Sequence, residues 1–409
     1  MLTGIMGEVF GRLIDVMHGR LVPLEGVKSV MVHFRDREGE VERFYADVRR
    51  LRGVVTLYGP RGAGKSTLMR LMGEGIREVG GFEDTLFVRY SFTEVMIEEA
   101  HVSIPGVNEG SVREVINALE DAANGVSLNL SPFGLAGALV KPIILLSRAI
   151  RSRAELRGRD NVVVVYDDVD KFLRRYGGYD VLEAIANATA DVITEHDAPV
   201  NAVFTVSDQA AVAAAGRLGS KGRVYLLWNL PRGAFEDVVN EAAGIMNVGN
   251  VDTELLWNLM GGNMRELGIL AGNYNWDVKA WLQGVIMRVT AALEGYGRVR
   301  EIKSISEVLA RLIRKGKSAA DAYGLGEFVG QPDAVEGYFN LLEENIMIYL
   351  GMPGCRYLSE LPREPWVGGR FAYQISAYYW ALRAMIERGS VNVNSDDVIK
   401  VINKSRNSS

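Results

Sequence analysis

The chain has 409 residues, 48% of them hydrophobic and 24% charged, which suits a folded protein with more than one core and excludes disorder outside the polar end, residues 403–409. Lys+Arg 46 against Asp+Glu 51 gives a net charge of -5, so nothing pulls the whole molecule toward nucleic acid and any such contact needs a local basic face. Cys355 is the only cysteine, which excludes an intramolecular disulfide and a multi-thiolate metal site; a reducing, cytoplasmic location is expected.

In chain order, Met1 to Leu21 carries Glu8, Arg12 and Asp15 inside an apolar pattern, so residues 1–27 are expected to hold an amphipathic helix and no signal peptide. Phe34-Arg35-Asp36-Arg37-Glu38, with Val41 and Phe44 after it, opens a second, charged helix. The β-branched run Val54 to Tyr58 leads into Gly59-Pro60-Arg61-Gly62-Ala63-Gly64-Lys65-Ser66-Thr67, after which Leu68, Met69, Leu71 and Met72 recur at helical spacing. Strand, glycine loop and helix stand in the order of a P-loop. The glycines let backbone N–H groups turn inward around phosphates, and the helix offers its positive end. Lys65 is placed to reach the β and γ phosphates, Ser66 to bind Mg²⁺, and Thr67 to meet the α-phosphate side.

Further strands are expected at Thr85 to Ser91, Val162 to Tyr166, Ala202 to Val206 and Arg223 to Leu227, alternating with helices. The strand from Val162 ends in Asp167-Asp168: the first acid suits Mg²⁺, the second the attacking water. Asp170 is expected to cap the next helix. Residues 93–160 form a long insertion with a basic end from Arg148 to Arg159. Its apolar stretch, Leu128 to Leu146, is broken by Pro132, Lys141 and Pro142, so no membrane span is expected. The strand from Ala202 ends in Ser207-Asp208. From Ala234 to Glu294 the pattern is helical, with Asp252, Asn263 and Asn275 at N-cap positions. Beyond it, helices are expected over 304–314, 332–344 and 371–387, and a hairpin from Ile346 to Leu350 with Arg356 to Leu358.

These motifs resemble the AAA+/STAND class of P-loop ATPases, and more narrowly archaeal-type ATPases lying between AAA+ initiators and STAND switches. The alternation of strands and helices argues for an α/β fold with a parallel sheet covered by helices on both faces. The resemblance, which runs from about Met31 to Tyr274, implies the order 5-1-4-3-2 and a helical lid, and the helices followed by a hairpin beyond it suggest a C-terminal winged-helix-like unit. The expected units are residues 28–230, 231–295 and 296–402, with 403–409 as a disordered tail. In that class the segment at Phe34, Asp36 and Arg37 borders the adenine. Ser207 or Asp208 would fill the sensor position, and Gly261-Gly262-Asn263-Met264-Arg265 would start a lid helix whose Arg265 points at the γ-phosphate, although Met264 stands where the class has proline. Asp168 stands where most AAA+ ATPases have glutamate. The arginine finger falls to Arg217 or Arg223.

Two functions compete: an ATPase whose nucleotide state moves the lid and C-terminal unit, and a switch that holds ATP or ADP and seldom turns it over. A small-molecule kinase fits the Gly-Gly-Asn-Met-Arg segment poorly. Asn403-Lys404 is followed by Ser405-Arg406, so the guanine signature is missing, and His18, His33, His101 and His196 lack zinc-ligand spacing. Arg311, Arg314, Lys315 and Lys317 make DNA one candidate partner; self-association and a protein partner are others. The aromatics Tyr373, Tyr378, Tyr379 and Trp380 are expected in the core, ahead of base stacking.

Overall fold

Runs such as Asn161 to Tyr166 have no polar face to turn to water, so they pair laterally and take helices on both sides. The computed structural model describes residues 2–27, 29–92, 97–107, 109–126, 132–170, 172, 180–195, 197, 199–207, 222–299, 341–342, 344–352, 354–369 and 371–407. Its main sheet has a parallel centre of β8 (Gly222–Leu226), β3 (Gly53–Tyr58), β7 (Val200–Val206), β6 (Asn161–Asp167) and β4 (Thr85–Phe92), in that spatial order. This is the expected 5-1-4-3-2 order. Side chains alternate between two cores: Val162, Val164 and Tyr166 enter one, Val163 and Val165 the other. Tyr58 lies opposite both Val206 and Leu226, and Tyr166 opposite Phe204, so the carboxyl ends of four strands are level. Whatever follows those strands meets at one edge.

One face is covered by α1 (Leu2–His18), α2 (Glu38–Arg50) and α3 (Lys65–Glu78), the other by α4 (Glu109–Val126), α5 (Pro132–Ser152) and α6 (Asp180–Glu195). The first helix ends at His18; β1 (Leu21–Pro23) and β2 (Met31–His33) then form an antiparallel pair that the sequence did not reveal. The insertion supplies β5 (Ile97–Ser103) as an antiparallel edge on β4, making the sheet mixed. A reversal of so few residues after Phe92 leaves no room for a parallel crossover. Helix α5 continues through Pro142, and among the described residues no helix is long and apolar enough to cross a membrane.

The helical region expected as a lid consists of α7 (Arg232–Ile245), α8 (Thr253–Met260), α9 (Met264–Asn273) and α10 (Val278–Val299). Asp252 and Asn263 cap α8 and α9 through their side chains. At the third expected cap, Asn275 instead takes a left-handed backbone with φ 46°, and Asp277 accepts from the Ala280 amide to cap α10. Packed on the same core are α11 (Ser376–Arg388) and α12 (Ser395–Arg406). The four C-terminal aromatics lie in that core, with Trp380 3% exposed. The supposed tail is helical through Arg406, because the Asn394–Asp397 capping box starts α12, Ile402 is buried and Arg406 pairs with Glu254 at 2.8 Å.

The expected hairpin does not form. β9 (Met347–Tyr349) pairs antiparallel with β11 (Phe371–Tyr373), which shortens the predicted aromatic helix, while β10 (Arg356–Tyr357) joins the main sheet parallel to β8. An open β8 edge beside Asp47, which pairs with Arg356, outcompetes the local turn. The helices expected at 304–314 and over most of 332–344, with the basic cluster from Arg311 to Lys317, lie outside the described residues.

Candidate functional site

The loop from Gly59 to Gly64 can only be made of glycine at its two tightest points. A Cβ on Gly59 would lie 2.0 Å from the Leu227 carbonyl oxygen; one on Gly62, whose φ is 85°, would lie 2.4 Å from Arg265 Cβ and 2.6 Å from Asn263 Oδ1. Lys65 begins α3, is 5% exposed, and donates from Nζ to the Gly59 and Pro60 carbonyls at 2.9 and 3.0 Å. Burial pushes its ammonium down to about 8, against the opposing pull of Asp168, Asp170 and Asp167.

Beside the loop, Asp167 ends β6 and is 1% exposed. Its Oδ1 accepts from Thr205 Oγ1 at 2.6 Å and Ser66 Oγ at 3.0 Å, and its Oδ2 accepts from Arg89 Nε at 3.0 Å and Nη2 at 2.7 Å. Asp168 takes a left-handed backbone (φ 58°), uncommon for a residue with a side chain, and its amide donates to Thr205 Oγ1 at 2.8 Å. That fixes its backbone at the strand end. Asp170 is not a cap: it lies within the helical turn, and its carboxylate accepts from the Ser207 amide at 2.9 Å and hydroxyl at 3.2 Å. A buried acid here finds donors at the next strand end more readily than in its own turn.

Asp168, Asp170 and Ser207 line one cavity of about 390 Å³ with residues 61–67, Phe34, Arg35, Arg37 and Arg265, and Asp167 meets it through Ser66. Val22 to Leu24, Val32, Leu230 and Val238 also line it, an apolar stretch suited to a flat ring. Glu241 of α7 accepts from His33 and, at 2.7 Å, from Arg35, tying that stretch to the lid. Burial would raise the Glu241 carboxyl, but the bonds from His33 and Arg35 outweigh it and hold it below the usual range. Arg37 is 2% exposed and donates to the Ala63 and Trp228 carbonyls, both at 2.9 Å, and to Glu40 at 2.9 Å and Ser359 at 3.2 Å, so it braces the loop's underside. Asp36 lines a neighbouring cavity with Gly39 and Trp228 and is not brought into the phosphate cavity; burial raises its carboxyl.

The helical region after the sheet clasps the loop directly. Asn263 caps α9 with Oδ1 and donates from Nδ2 to the Arg61 carbonyl at 2.7 Å and to Asn229 at 3.1 Å. From the C-terminal region, Gln374 Oε1 accepts from the Arg61 amide at 3.0 Å, and its carbonyl accepts from Asn229. Arg265 reaches Glu25 at 3.4 Å across the cavity mouth. Glu266 accepts both Arg288 nitrogens at 2.8 and 2.9 Å, stiffening the start of α9.

The structure thus brings together Gly62 through Thr67, Asp167, Asp168, Ser207, Arg265, Phe34 and Arg37. Arg223 stands apart: it lies opposite Val55, toward the amino end of the strands, and donates to Asn201 at 2.5 Å and to the Asp47 carbonyl at 3.4 Å. A half-buried guanidinium satisfied inside its own chain is a strut, so of the two candidate fingers Arg223 is removed. Arg217, like Asp208, lies outside the described residues. Arg89, Thr205, Asn229, Glu241 and Gln374 are not singled out by the sequence, and Asp170 enters in place of its expected cap. Only Arg89, a charge within the apolar run Leu86 to Tyr90, carried a signal.

Against known proteins, a family model described as an ATPase domain predominantly from Archaea matches residues 34–270. Among solved structures, the Aeropyrum pernix ORC2 protein (ADPNP-ADP complexes) is 12% identical, with 92% of this chain and 96% of that one covered and a TM-score of 0.41. Drosophila ORC bound to DNA is also 12% identical, with 88% and 97% covered and a TM-score of 0.31. No curated protein matches the sequence.

Proposed function

We propose, from the premise that the chain belongs to the archaeal ATPase-domain family, that it binds ATP with Mg²⁺ in this cavity, hydrolyses it slowly to ADP and phosphate, and thereby positions its lid and C-terminal region. In this reading residues 28–230 are the ATPase core, with β10 joined to the edge of its sheet, and the part that moves is 231–295 together with α11 and α12, which share one core with it. The observation that carries it is the clasp on Arg61, whose carbonyl is held by Asn263 of the lid and whose amide is held by Gln374. A loop that rearranges around phosphates then pulls on both.

The remaining residues take roles their geometry suits. Backbone N–H groups from Gly62 to Thr67 cradle the phosphates, and Lys65 exchanges two carbonyls for phosphate oxygens. Ser66 Oγ and Asp167 Oδ1, 3.0 Å apart, are hard oxygen donors that fit a small divalent cation. When bound, Mg²⁺ offsets the phosphate charge. Asp168 orients water, Ser207 held by Asp170 senses the γ-phosphate, and Arg265 closes over it with its permanent charge. Phe34 and the apolar end flank the base.

A STAND-type switch with little turnover is the second reading, favoured by the short Asp168 and by the arginine on Asp167. Single-turnover phosphate release separates the two. The ATPase reading expects Asp168→Asn to be slower than wild type by about 10²-fold or more; equal slow release in both proteins favours the switch. DNA contact through Arg311 to Lys317 requires duplex binding that weakens with salt, and absence of binding at low salt removes it.

A further inference from the structure

We infer that Arg89 competes with Mg²⁺ for Asp167, so that this site takes up nucleotide with little help from the metal. The inference rests on the nucleotide-site reading above. Arg89 lies opposite Val165 in the β4–β6 ladder and Asp167 opposite Ser91, so the two side chains leave adjacent strands on one face, two residues apart. Both are buried, with side chains 7% and 1% exposed. Two guanidinium nitrogens converge on Oδ2 while Thr205 and Ser66 occupy Oδ1, so both oxygens of the metal-side acid are engaged.

Ser66 can keep donating to Asp167 while its oxygen faces a cation, so the donor set survives. What changes is charge. A guanidinium stays protonated at any physiological pH and, in a poorly solvated setting, cancels most of the carboxylate's attraction for a divalent ion a few ångströms away. The adjacent Lys65 and the P-loop amides are unaffected, so phosphate binding itself is retained. A strand position filled by valine or leucine would leave Asp167 to the metal alone.

The test is calorimetric titration of the full chain with ADP, from chelator to millimolar Mg²⁺. Wild type is expected to change affinity by no more than a few-fold over that range. Arg89→Met, similar in length and uncharged, gains a Mg²⁺ dependence of about tenfold or more, and Arg89→Lys, which keeps the charge, behaves as wild type. A purely structural Arg89 would lower the thermal midpoint of Arg89→Met without moving its Mg²⁺ dependence. That result overturns the inference, as does a steep Mg²⁺ dependence in wild type, which decides the matter even if Arg89→Met does not fold. Absence of heat with ADP in wild type at every Mg²⁺ level would instead defeat the nucleotide reading.

Discussion

At the phosphate end of the cavity the side chains leave the level carboxyl ends of β3, β6 and β7, whereas at the opposite end they arrive from Val22, Arg35, Leu230 and Glu241, on segments far apart in the chain. The strand ends at the first end are fixed by register, and the loop between them is held from outside the sheet by Asn263 and Gln374. The second depends on the N-terminal β pair, the lid and the C-terminal region docking together. The strand ends thus give fixed points, and the loop and the second end are assembled from distant segments.

The sharpest break in that comparison is Lys65→Ala. It removes the ammonium at the phosphate end and is expected to weaken ATP binding by about 10²-fold or more with the thermal midpoint little changed, as read by calorimetry. Retained full affinity would overturn the site. Next is Gly62→Ala, whose methyl meets Arg265 Cβ and the Asn263 side chain. Because the backbone there is left-handed as well, it is expected to destabilise the protein by about 1–3 kcal/mol in thermal or denaturant unfolding and to increase proteolysis of the lid. Gln374→Ala leaves the Arg61 amide without that acceptor and is expected to cost about 1 kcal/mol, with a reduced difference in protease sensitivity between ATP-bound and ADP-bound protein.

The smallest effect concerns pH. The Glu241 carboxyl is depressed in the folded state, so its contribution is present above the unfolded value of about 4.3 and is lost as pH falls through the lower folded value. Wild type should therefore lose thermal stability more steeply than Glu241→Gln below about pH 4.3. Parallel melting curves across that range would contradict the bracing role given to Glu241.

The same contrast explains what could be read in advance. The P-loop, Asp167 and the Asn263 cap are local patterns whose spacing reports their geometry, and the five-strand order follows from the resemblance they carry. Asp170 was misjudged because helix capping is the common fate of an aspartate after a strand, and only the third dimension brings Ser207 to it. The strand at Arg356 was assigned to a hairpin because sequence shows the nearest partner, while the open edge of β8 lies 131 residues away. Gln374 and Glu241 belong to no motif at all.

The buried Arg37 also has a consequence for biosynthesis. One of its partners, Ser359, lies 322 residues downstream. At about 10 residues per second the ribosome delivers that hydroxyl roughly half a minute after the arginine. During that interval the nascent chain holds a glycine loop whose brace is unfinished, so competence to bind nucleotide should emerge late in translation, after most of the sheet has formed.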